Sequence, residues 1–257
     1  MMLPAILHRY EQINLQTLRN LKGNVIYLGA PRNFNDPYDC AIGAPLSELS
    51  DHGLQQILEG RRVDAPHEAL KVMFREGAAQ TLREHTEKFL NERGVACFTE
   101  KPDNLLMWSH YADGGRGMCL AFSTAEKLFE KAQKVVYSDQ IPTLSLDALL
   151  CSKQYEAITQ LYRTKSSHWA YEEEWRVIHE QAGTSWHYEA ASLLAVYFGP
   201  NVPEDLMEIA LLILTGQNET VRFYRGRRSE HEFRMLFDEI TYMSHLQAKA
   251  KGLLRSS

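Results

Sequence analysis

The sequence lacks the short motifs that mark the best-known metal and cofactor sites. Its four cysteines, Cys40, Cys97, Cys119 and Cys151, are far apart and form no CxxC pair or Cys/His cluster. Neither a zinc site nor a disulfide framework is therefore indicated. The glycines form no Rossmann or Walker phosphate-binding loop, and no HExxH or GxSxG motif is present. We expect no metal and no cofactor of a class that carries such a signature.

Long apolar runs and an excess of basic charge are also missing. No stretch approaches the roughly 20 apolar residues of a membrane span, and the apolar part of the N-terminal segment is too short for a signal peptide. We expect a protein of the reducing cytoplasm, without a membrane partner. The formal net charge of -5 gives no general attraction to nucleic acid, so such binding requires a local patch.

What the sequence does contain is an irregular mixture of helical and strand patterns, with 44% apolar residues for a core. Strands scattered between helices of unequal length predict an α+β fold, with a central, mainly antiparallel split sheet. We expect a single mixed domain over residues 1–257, with a charged helical insertion or lid at 45–93 and a frayed helical tail at 243–257. Ser123 and Glu126 form a capping-box pattern that predicts a helix over "TAEKLFEKAQ".

The stretch "WAYEEEWRVIHE" (169–180) combines acidic, aromatic and apolar residues. Its second half is typical of a half-buried strand, in which Glu172 and Glu174 would share one face, roughly 7 Å apart, with Glu173 opposite. Arg176 would lie on the face of Glu172 and Glu174. Two interpretations stay open: an ion-pair network at a sheet edge, or a pair of catalytic carboxylates.

The turn "FNDPYD" carries polar candidates directly after a predicted strand. Asn35, Asp36 and Asp39 are residue types that commonly cap their own backbone, which favours a structural turn. Loops that follow strands also carry function, so a ligand-contacting loop is the alternative.

The segment "LLMWSHYADGGRG" is predicted to begin with a helix opened by Asp103 or Asn104. Trp108 and Tyr111 share one face of that helix and belong either to the core or to a surface that stacks on a flat ring. Ser109 and His110 are polar residues among these aromatics, and His110 is either a structural histidine or a general base.

Arginines provide two further candidate sites. Arg116 follows two glycines and either binds an anionic group or pairs with Asp113. The late segment "VRFYRGRR" places four arginines around two aromatic residues: Arg222, Arg225, Arg227 and Arg228. Such a patch either binds nucleic acid or is a solvated strand and turn.

Together, "FNDPYD", "CFTE", "LMWSHYADGGRGMCLAF" and "WAYEEEWR" resemble a bacterial family of unknown function, domain of unknown function 2971. The resemblance spans about residues 7–237 and supplies no activity. It implies that these segments belong to one domain. The chain departs from the family pattern mainly in the long charged block before Val95.

More distantly, the order of these residues resembles that of the ADP-ribosyltransferase superfamily, whose sites use a His or Arg, a Tyr or Ser, and a Glu. The resemblance implies that His8 or Arg9, on the first strand, contacts the dinucleotide. Tyr111 or Ser109 would lie near the nicotinamide. Glu174 would lie at the ribose.

The same resemblance implies a chemical role for the paired glutamates. One carboxylate, from Glu172 or Glu174, would hold a ribose hydroxyl and stabilise positive charge while the other orients or deprotonates the acceptor. Arg9 or Arg176 would neutralise this pair or bind the pyrophosphate. The remaining candidate NAD contacts are Asn35, Asp36, Trp108, Ser109, His110 and Arg116. No metal is required.

We therefore expect an NAD-dependent ADP-ribosyltransferase-like enzyme that modifies a macromolecule, with nucleic acid among the candidate acceptors, as a toxin or phage-defence effector. A non-catalytic nucleotide- or nucleic-acid-binding module is one alternative. Another is an interaction protein whose charged helical block docks a protein partner, an antitoxin being one such partner.

Overall fold

The computed structural model describes residues 2–41, 44–59, 61, 63–153 and 156–252. The strands, in chain order, are β1 (Ile6–Glu11), β2 (Val25–Leu28), β3 (Gly94–Thr99), β4 (Met118–Ser123), β5 (Gln133–Lys134), β6 (Val136–Ser138), β7 (Thr164–Ser166), β8 (Glu174–His179), β9 (Thr184–His187), β10 (Leu193–Phe198), β11 (Arg222–Arg228) and β12 (Met235–Ile240). The α-helices are α1 (Leu15–Lys22), α2 (Asp51–Leu58), α3 (His67–Glu92), α4 (Leu105–Tyr111), α5 (Leu146–Leu150), α6 (Glu156–Leu161), α7 (Glu204–Thr215) and α8 (His245–Ala250).

The largest sheet among the described residues has eight strands in the order β12-β11-β10-β4-β1-β3-β8-β5. Its neighbouring strands are antiparallel except for β10 and β11, which are parallel. Two small sheets pair β2 with β9 and β6 with β7. The predicted α+β fold and the mainly antiparallel sheet are confirmed.

Strand β4 lies near the middle of this sheet and packs on both of its faces. Leu120 and Phe122 belong to the main core, together with residues of α7. Cys119, on the opposite face, belongs to a second cluster with Trp108 of α4. Because both faces are covered, β4 is almost continuously apolar, as its sequence "MCLAFS" indicates.

The sheet opens between β1 and β3. In the described chain these strands share a single register pair, His8 with Thr99, whereas β1 and β4 remain paired from Ile6 to Glu11. Beyond the His8–Thr99 pair the two strands diverge, and β3 instead pairs at Val95 with Gly29, just after β2. This opening is the split of the sheet, and it creates the cavity described below.

The prediction of a helix from the Ser123 and Glu126 capping pattern is wrong. Glu126 does accept a hydrogen bond from the Lys127 amide, but only a short 3-10 helix follows, Lys127–Lys131. Leu128 and Phe129 are both buried and adjacent, and the chain then becomes extended to pair as β5 with β8. The helical segment ends early because the residues after it pair with β8.

The charged block at 45–93 contains α2 and α3. Leu54 of α2 and Leu70 of α3 pack in one apolar cluster with Leu146 of α5. Its role as an insertion or lid, and the single-domain boundaries, stay predictions. Within the predicted tail, α8 is helical, while residues 253–257 lie outside the described residues. No helix in the described ranges combines the length and apolarity needed to cross a membrane.

Gly77, in the middle of α3, is a position where alanine should stabilise the chain. A Cβ added there has no atom within 4 Å, and glycine in a helix interior costs roughly 0.5 to 1 kcal/mol relative to alanine. We expect Gly77→Ala to raise the free energy of unfolding by about that amount, measured by urea denaturation. Gly117→Ala is the contrast, because its Cβ would lie 2.3 Å from the Glu11 carbonyl oxygen, and it should destabilise. Equal effects would contradict the packing described.

Candidate functional site

A cavity of about 370 Å³ lies where β1 and β3 part. Its walls come from β1, the turn after β2, β3 and α4, and its charged floor comes from β7 and the start of β8. The volume falls within the range of sites for small molecules, roughly 300 to 1,000 Å³. Of the candidates from the sequence, those that line the cavity are His8, Arg9, Asn35, Asp39, Tyr111, Glu172 and Glu174.

The floor of the cavity is a cluster of buried charges centred on Lys165. The Lys165 Nζ lies 2.7 Å from Glu172 Oε2, 3.2 Å from Glu174 Oε2 and 3.6 Å from Asp39 Oδ2. Each of these four side chains is at most 5% exposed. Buried charges persist only when they are paired. The cluster therefore holds the turn with Asp39, strand β7 with Lys165, and the chain around Glu172 and Glu174 in one arrangement.

Arg176 supplies the second cation of this cluster. Its Nε lies 2.7 Å from Glu174 Oε1, its Nη2 donates to Asp39 Oδ2 at 2.8 Å, and its Nη1 donates to the Tyr162 carbonyl at 3.0 Å. Arg176 is 1% exposed, so this guanidinium is fully used inside the protein. The expectation that Arg176 shares a face with Glu174 agrees with this geometry.

The cluster contains more carboxylates than cations. Asp39, Glu172 and Glu174 face Lys165 and Arg176, so full ionisation would leave one negative charge uncompensated. Burial raises the pKa of Glu172, and the charge of Glu174 adds to this, while Lys165 opposes it. Of the two glutamates, Glu172 thus takes up a proton more readily than Glu174.

Glu174 and Lys165 are held in their charged forms. Burial alone would raise the pKa of Glu174, but Arg176 and Lys165 outweigh it and lower the pKa below its ordinary value. Burial alone would lower the pKa of Lys165, but Glu174, Asp39 and Glu172 outweigh it and raise the pKa. Neighbouring carboxyls whose pKa values are pushed apart are typical of acid–base sites.

Tyr111 connects this cluster to the turn "FNDPYD". Its hydroxyl donates to Glu172 Oε1 at 2.6 Å and accepts from Asn35 Nδ2 at 3.4 Å. Burial and the hydrogen bond to Glu172 raise the pKa of Tyr111, so its hydroxyl remains protonated at neutral pH. The result is a continuous line from Asn35 through Tyr111 and Glu172 to Lys165.

The backbone brings the two glutamates together in a different way from the predicted strand. Ser167–Glu172 is a 3-10 helix, Glu173 has a left-handed φ of 45°, and β8 begins only at Glu174. The placement of Glu172 in a strand was therefore wrong. The kink turns Glu173 outward to Lys101, 2.6 Å away, and brings Glu172 and Glu174 onto Lys165.

His8 and Arg9 form the β1 side of the cavity. His8 is 7% exposed, and its Nδ1 has no hydrogen-bond partner among the described residues. Burial lowers the pKa of His8 to about 4. Arg9 pairs with Glu11 at 2.7 Å, and its Nη1 donates to the Tyr27 carbonyl at 3.2 Å. These contacts fix the guanidinium of Arg9 beside the cavity.

Several other sequence candidates lie away from this cavity. Asp36 accepts from the Tyr38 amide at 2.9 Å, as expected of a turn residue. Trp108 is buried in the second core cluster, and its Nε1 donates to the Pro102 carbonyl at 2.7 Å. Ser109 borders a different hollow, beside Trp108 and the β11–β12 connection.

His110 and Arg116 are exposed. His110 lies near the rings of Trp169 and Tyr171, with centroids 6.3 and 6.4 Å away. Arg116 forms a two-point pair with Asp113, through bonds of 2.8 and 2.9 Å, which matches the simpler of the two expectations for it.

Lys165 is the central residue that sequence reasoning missed. It occurs in "RTKSSHW", a polar segment that predicts an exposed lysine, and nothing local marks it as buried. Asp39 was recognised as part of the turn "FNDPYD", either structural or ligand-contacting, and not as a partner of buried cations. Its role depends on Arg176, which is 137 positions away in the chain.

No group of three or more His, Cys, Asp and Glu side chains within the described ranges is arranged to hold a metal ion. The three carboxylates that converge are centred on the Lys165 ammonium. The cavity therefore offers carboxylates, a tyrosine hydroxyl and cationic groups to a ligand.

Comparison with known proteins identifies one similarity. Residues 107–177 match the model of a family described as a protein of unknown function (DUF2971). The matched segment contains Tyr111, Lys165, Glu172 and Glu174, but not β1. No curated protein and no solved structure was found to match the chain.

Proposed function

We propose that this cavity binds NAD and that the chain is an ADP-ribosyltransferase-like enzyme acting on a macromolecule. One observation carries the proposal. The three motif positions, distant in sequence, line one cavity: His8 and Arg9 from β1, Tyr111 from α4, and Glu172 with Glu174 at β8. Such an activity would suit a toxin or a phage-defence effector.

The geometry favours Glu172 as the carboxylate that faces the ribose. Glu174 contacts two cations, Arg176 and Lys165, whereas Glu172 contacts Lys165 alone and accepts with its other oxygen from Tyr111 at the side of the cavity. As the bond from ribose C1′ to the nicotinamide nitrogen breaks, nicotinamide leaves with the bonding electrons. A nearby carboxylate then stabilises the positive charge on the ribose.

The acceptor's nucleophilic atom next forms a bond to ribose C1′, and its proton must be removed. A carboxyl with a raised pKa is suited to take this proton, and Glu172 has that property. Glu174, ionised by its two cations, would act by positioning Lys165. Arg9 is the cation on the β1 side that would bind the pyrophosphate.

The test is nicotinamide release and transfer of label from NAD to separate pools of protein, RNA and DNA. We expect Glu172→Gln to lower turnover by about 100-fold or more, because glutamine keeps the shape and cannot take up a proton. Glutamine also resembles the protonated carboxyl, so folding should survive, as circular dichroism and thermal melting can verify.

Glu173→Gln is the matched control, because Glu173 lies in the same stretch and points outward to Lys101. It should retain the activity of the unchanged chain. Full activity in a folded Glu172→Gln variant would sink the proposal. So would the absence of nicotinamide release from the folded, unchanged chain.

A non-catalytic nucleotide-binding module is the second candidate. The observation that favours it is the complete pairing of Glu174, Lys165 and Arg176, which is also what a purely structural network requires. Calorimetric titration with NAD, together with the assay of nicotinamide release, separates the two functions. Binding of NAD by a chain that releases no nicotinamide in any acceptor pool would favour the binding module.

A further inference from the structure

The sheet face that carries α4 continues beyond it across β10, β11 and β12. Tyr197 pairs in register with Tyr224, and Phe237 pairs with Gly226, two residues further along β11. Directly paired side chains share a face, as do residues two apart in a strand. Tyr197, Tyr224 and Phe237 therefore lie together, and we refer to them as the aromatic face.

The aromatic face presents partly accessible rings. Tyr197 and Tyr224 are stacked, with centroids 4.9 Å apart and planes at 15°, and Phe237 meets Tyr197 edge-on at 4.9 Å. All three side chains are half-buried rather than enclosed. His8 lies 6.1 Å from Tyr197, so the aromatic face reaches the wall of the cavity.

Two of the four late arginines share this face. Arg222 precedes Tyr224 by two positions and Arg228 follows it by four, so strand alternation puts both on the side of the rings. Both are exposed, and neither forms an ion pair with a residue that the structure describes. Arg222 also lies near enough to Tyr197 for its charge to oppose the raised pKa that burial gives that tyrosine.

The other two arginines belong to the opposite side and are already paired. Arg225 contacts Glu204 of α7 at 2.8 Å, and Arg227 contacts Asp238 of β12 at 2.8 Å. Strand alternation thus divides the basic segment "VRFYRGRR": Arg225 and Arg227 form ion pairs within the fold, and Arg222 and Arg228 lie beside the half-buried rings.

One acidic residue opposes the two arginines on the aromatic face. Glu239 is exposed and pairs in register with Tyr224. A phosphate is therefore favoured near Arg222 or Arg228 and disfavoured beside Glu239. The rings between them offer a surface to groups that stack without charge.

We propose that the aromatic face binds single-stranded nucleic acid, with bases stacked on Tyr224 and its neighbours and phosphates paired with Arg222 and Arg228. Sheets with exposed aromatic residues stack two or three unpaired bases in this way. A duplex hides the faces of its bases, which makes it the poorer ligand. Binding of the single-stranded nucleic acid does not depend on NAD chemistry. Its role as the acceptor of ADP-ribose rests on the proposed function.

The test is fluorescence anisotropy of labelled oligonucleotides about 15 residues long, titrated with the full chain in the absence of NAD. Single-stranded DNA and single-stranded RNA are separate arms, and duplex DNA is the comparison. We expect at least one single strand to bind more tightly than the duplex. Duplex binding of equal strength, or no binding by either single strand, would overturn the inference.

Substitutions on the aromatic face locate the binding. We expect Tyr224→Ala to weaken single-strand binding by about 5- to 150-fold, which corresponds to the loss of one stacked base. Tyr38→Ala, a change of an exposed tyrosine elsewhere, should have no effect. Equal affinity of Tyr224→Ala and the unchanged chain would contradict the proposed surface.

Charge substitutions provide a second test if Tyr224→Ala disturbs the sheet. The exposed arginines can be replaced without loss of core packing. Arg222→Gln should reduce the slope of log affinity against log salt by about 0.7, while Arg83→Gln on α3 should leave it unchanged. Glu239→Gln should tighten binding by removing a repulsion. An unchanged slope in Arg222→Gln would oppose phosphate contact there.

The outcomes separate this inference from the proposed function. A chain that releases nicotinamide and binds no single strand would overturn the nucleic-acid inference alone. A chain that binds single strands and releases no nicotinamide in any pool would overturn the transferase alone.

Discussion

Replacing Arg176 with methionine is expected to lower the free energy of unfolding by about 3 to 5 kcal/mol. Methionine fills much of the same space, but it leaves the three buried carboxylates Asp39, Glu172 and Glu174 to share the single cation Lys165. Arg176 is 1% exposed, so water cannot replace it. Urea denaturation at neutral pH measures the change.

Two further variants test this interpretation. Arg83→Met, on the exposed surface of α3, should change stability by no more than about 0.5 kcal/mol. Glu174→Gln combined with Arg176→Met should cost less than the sum of the two separate losses, since the pair is then removed together. A loss of under about 1 kcal/mol in Arg176→Met would show that the cluster contributes little to folding.

Acidification is expected to destabilise the chain through His8 by about 3 kcal/mol between pH 7 and pH 4. Burial lowers the pKa of His8 from 6.5 to about 4, although the Thr99 and Glu100 carbonyls and the charge of Asp103 oppose this. Between these pH values the unfolded chain binds a proton that the folded chain does not. The free energy of unfolding is therefore highest above pH 6.5 with respect to His8, and this contribution is lost as the pH falls towards 4.

His8→Leu should remove this dependence, because leucine stays uncharged in both states. The measurement is the free energy of unfolding from urea titrations across that range, as the difference between the unchanged chain and His8→Leu. His110→Leu, at an exposed histidine, is the control and should keep the slope. Parallel curves for the unchanged chain and His8→Leu would contradict a buried, neutral His8.

Local patterns in the sequence were sufficient for the fold class and for part of the site. Compact apolar runs indicate the buried strands β3 and β4, and Asn104 does cap α4 through its side chain. Glu172 and Glu174 were singled out because two charges on a partly buried face are costly unless they are paired. Tyr111 was singled out because a tyrosine on a helix face can stack on a flat ring and offer its hydroxyl.

The rest depended on contacts that no local pattern contains. Lys165 has polar neighbours in the chain, and only the return of β7 beside Asp39 and Glu172 buries it. The left-handed backbone at Glu173 replaces the two-residue period of a strand, so the predicted geometry failed although the predicted proximity did not. The ion pairs of Arg225 with Glu204 and of Arg227 with Asp238 likewise join different elements of the fold.

The parting of β1 and β3 has a consequence for how a ligand is recognised. The Val95 amide and carbonyl both bond to Gly29, and strand alternation directs the main-chain groups of Cys97 to the same edge, which borders the cavity. A ligand in the cavity would meet the Cys97 amide and carbonyl, a donor and an acceptor of the main chain. Because these two groups belong to the main chain, substitutions of the surrounding side chains leave them in place, and this part of ligand recognition would tolerate such changes.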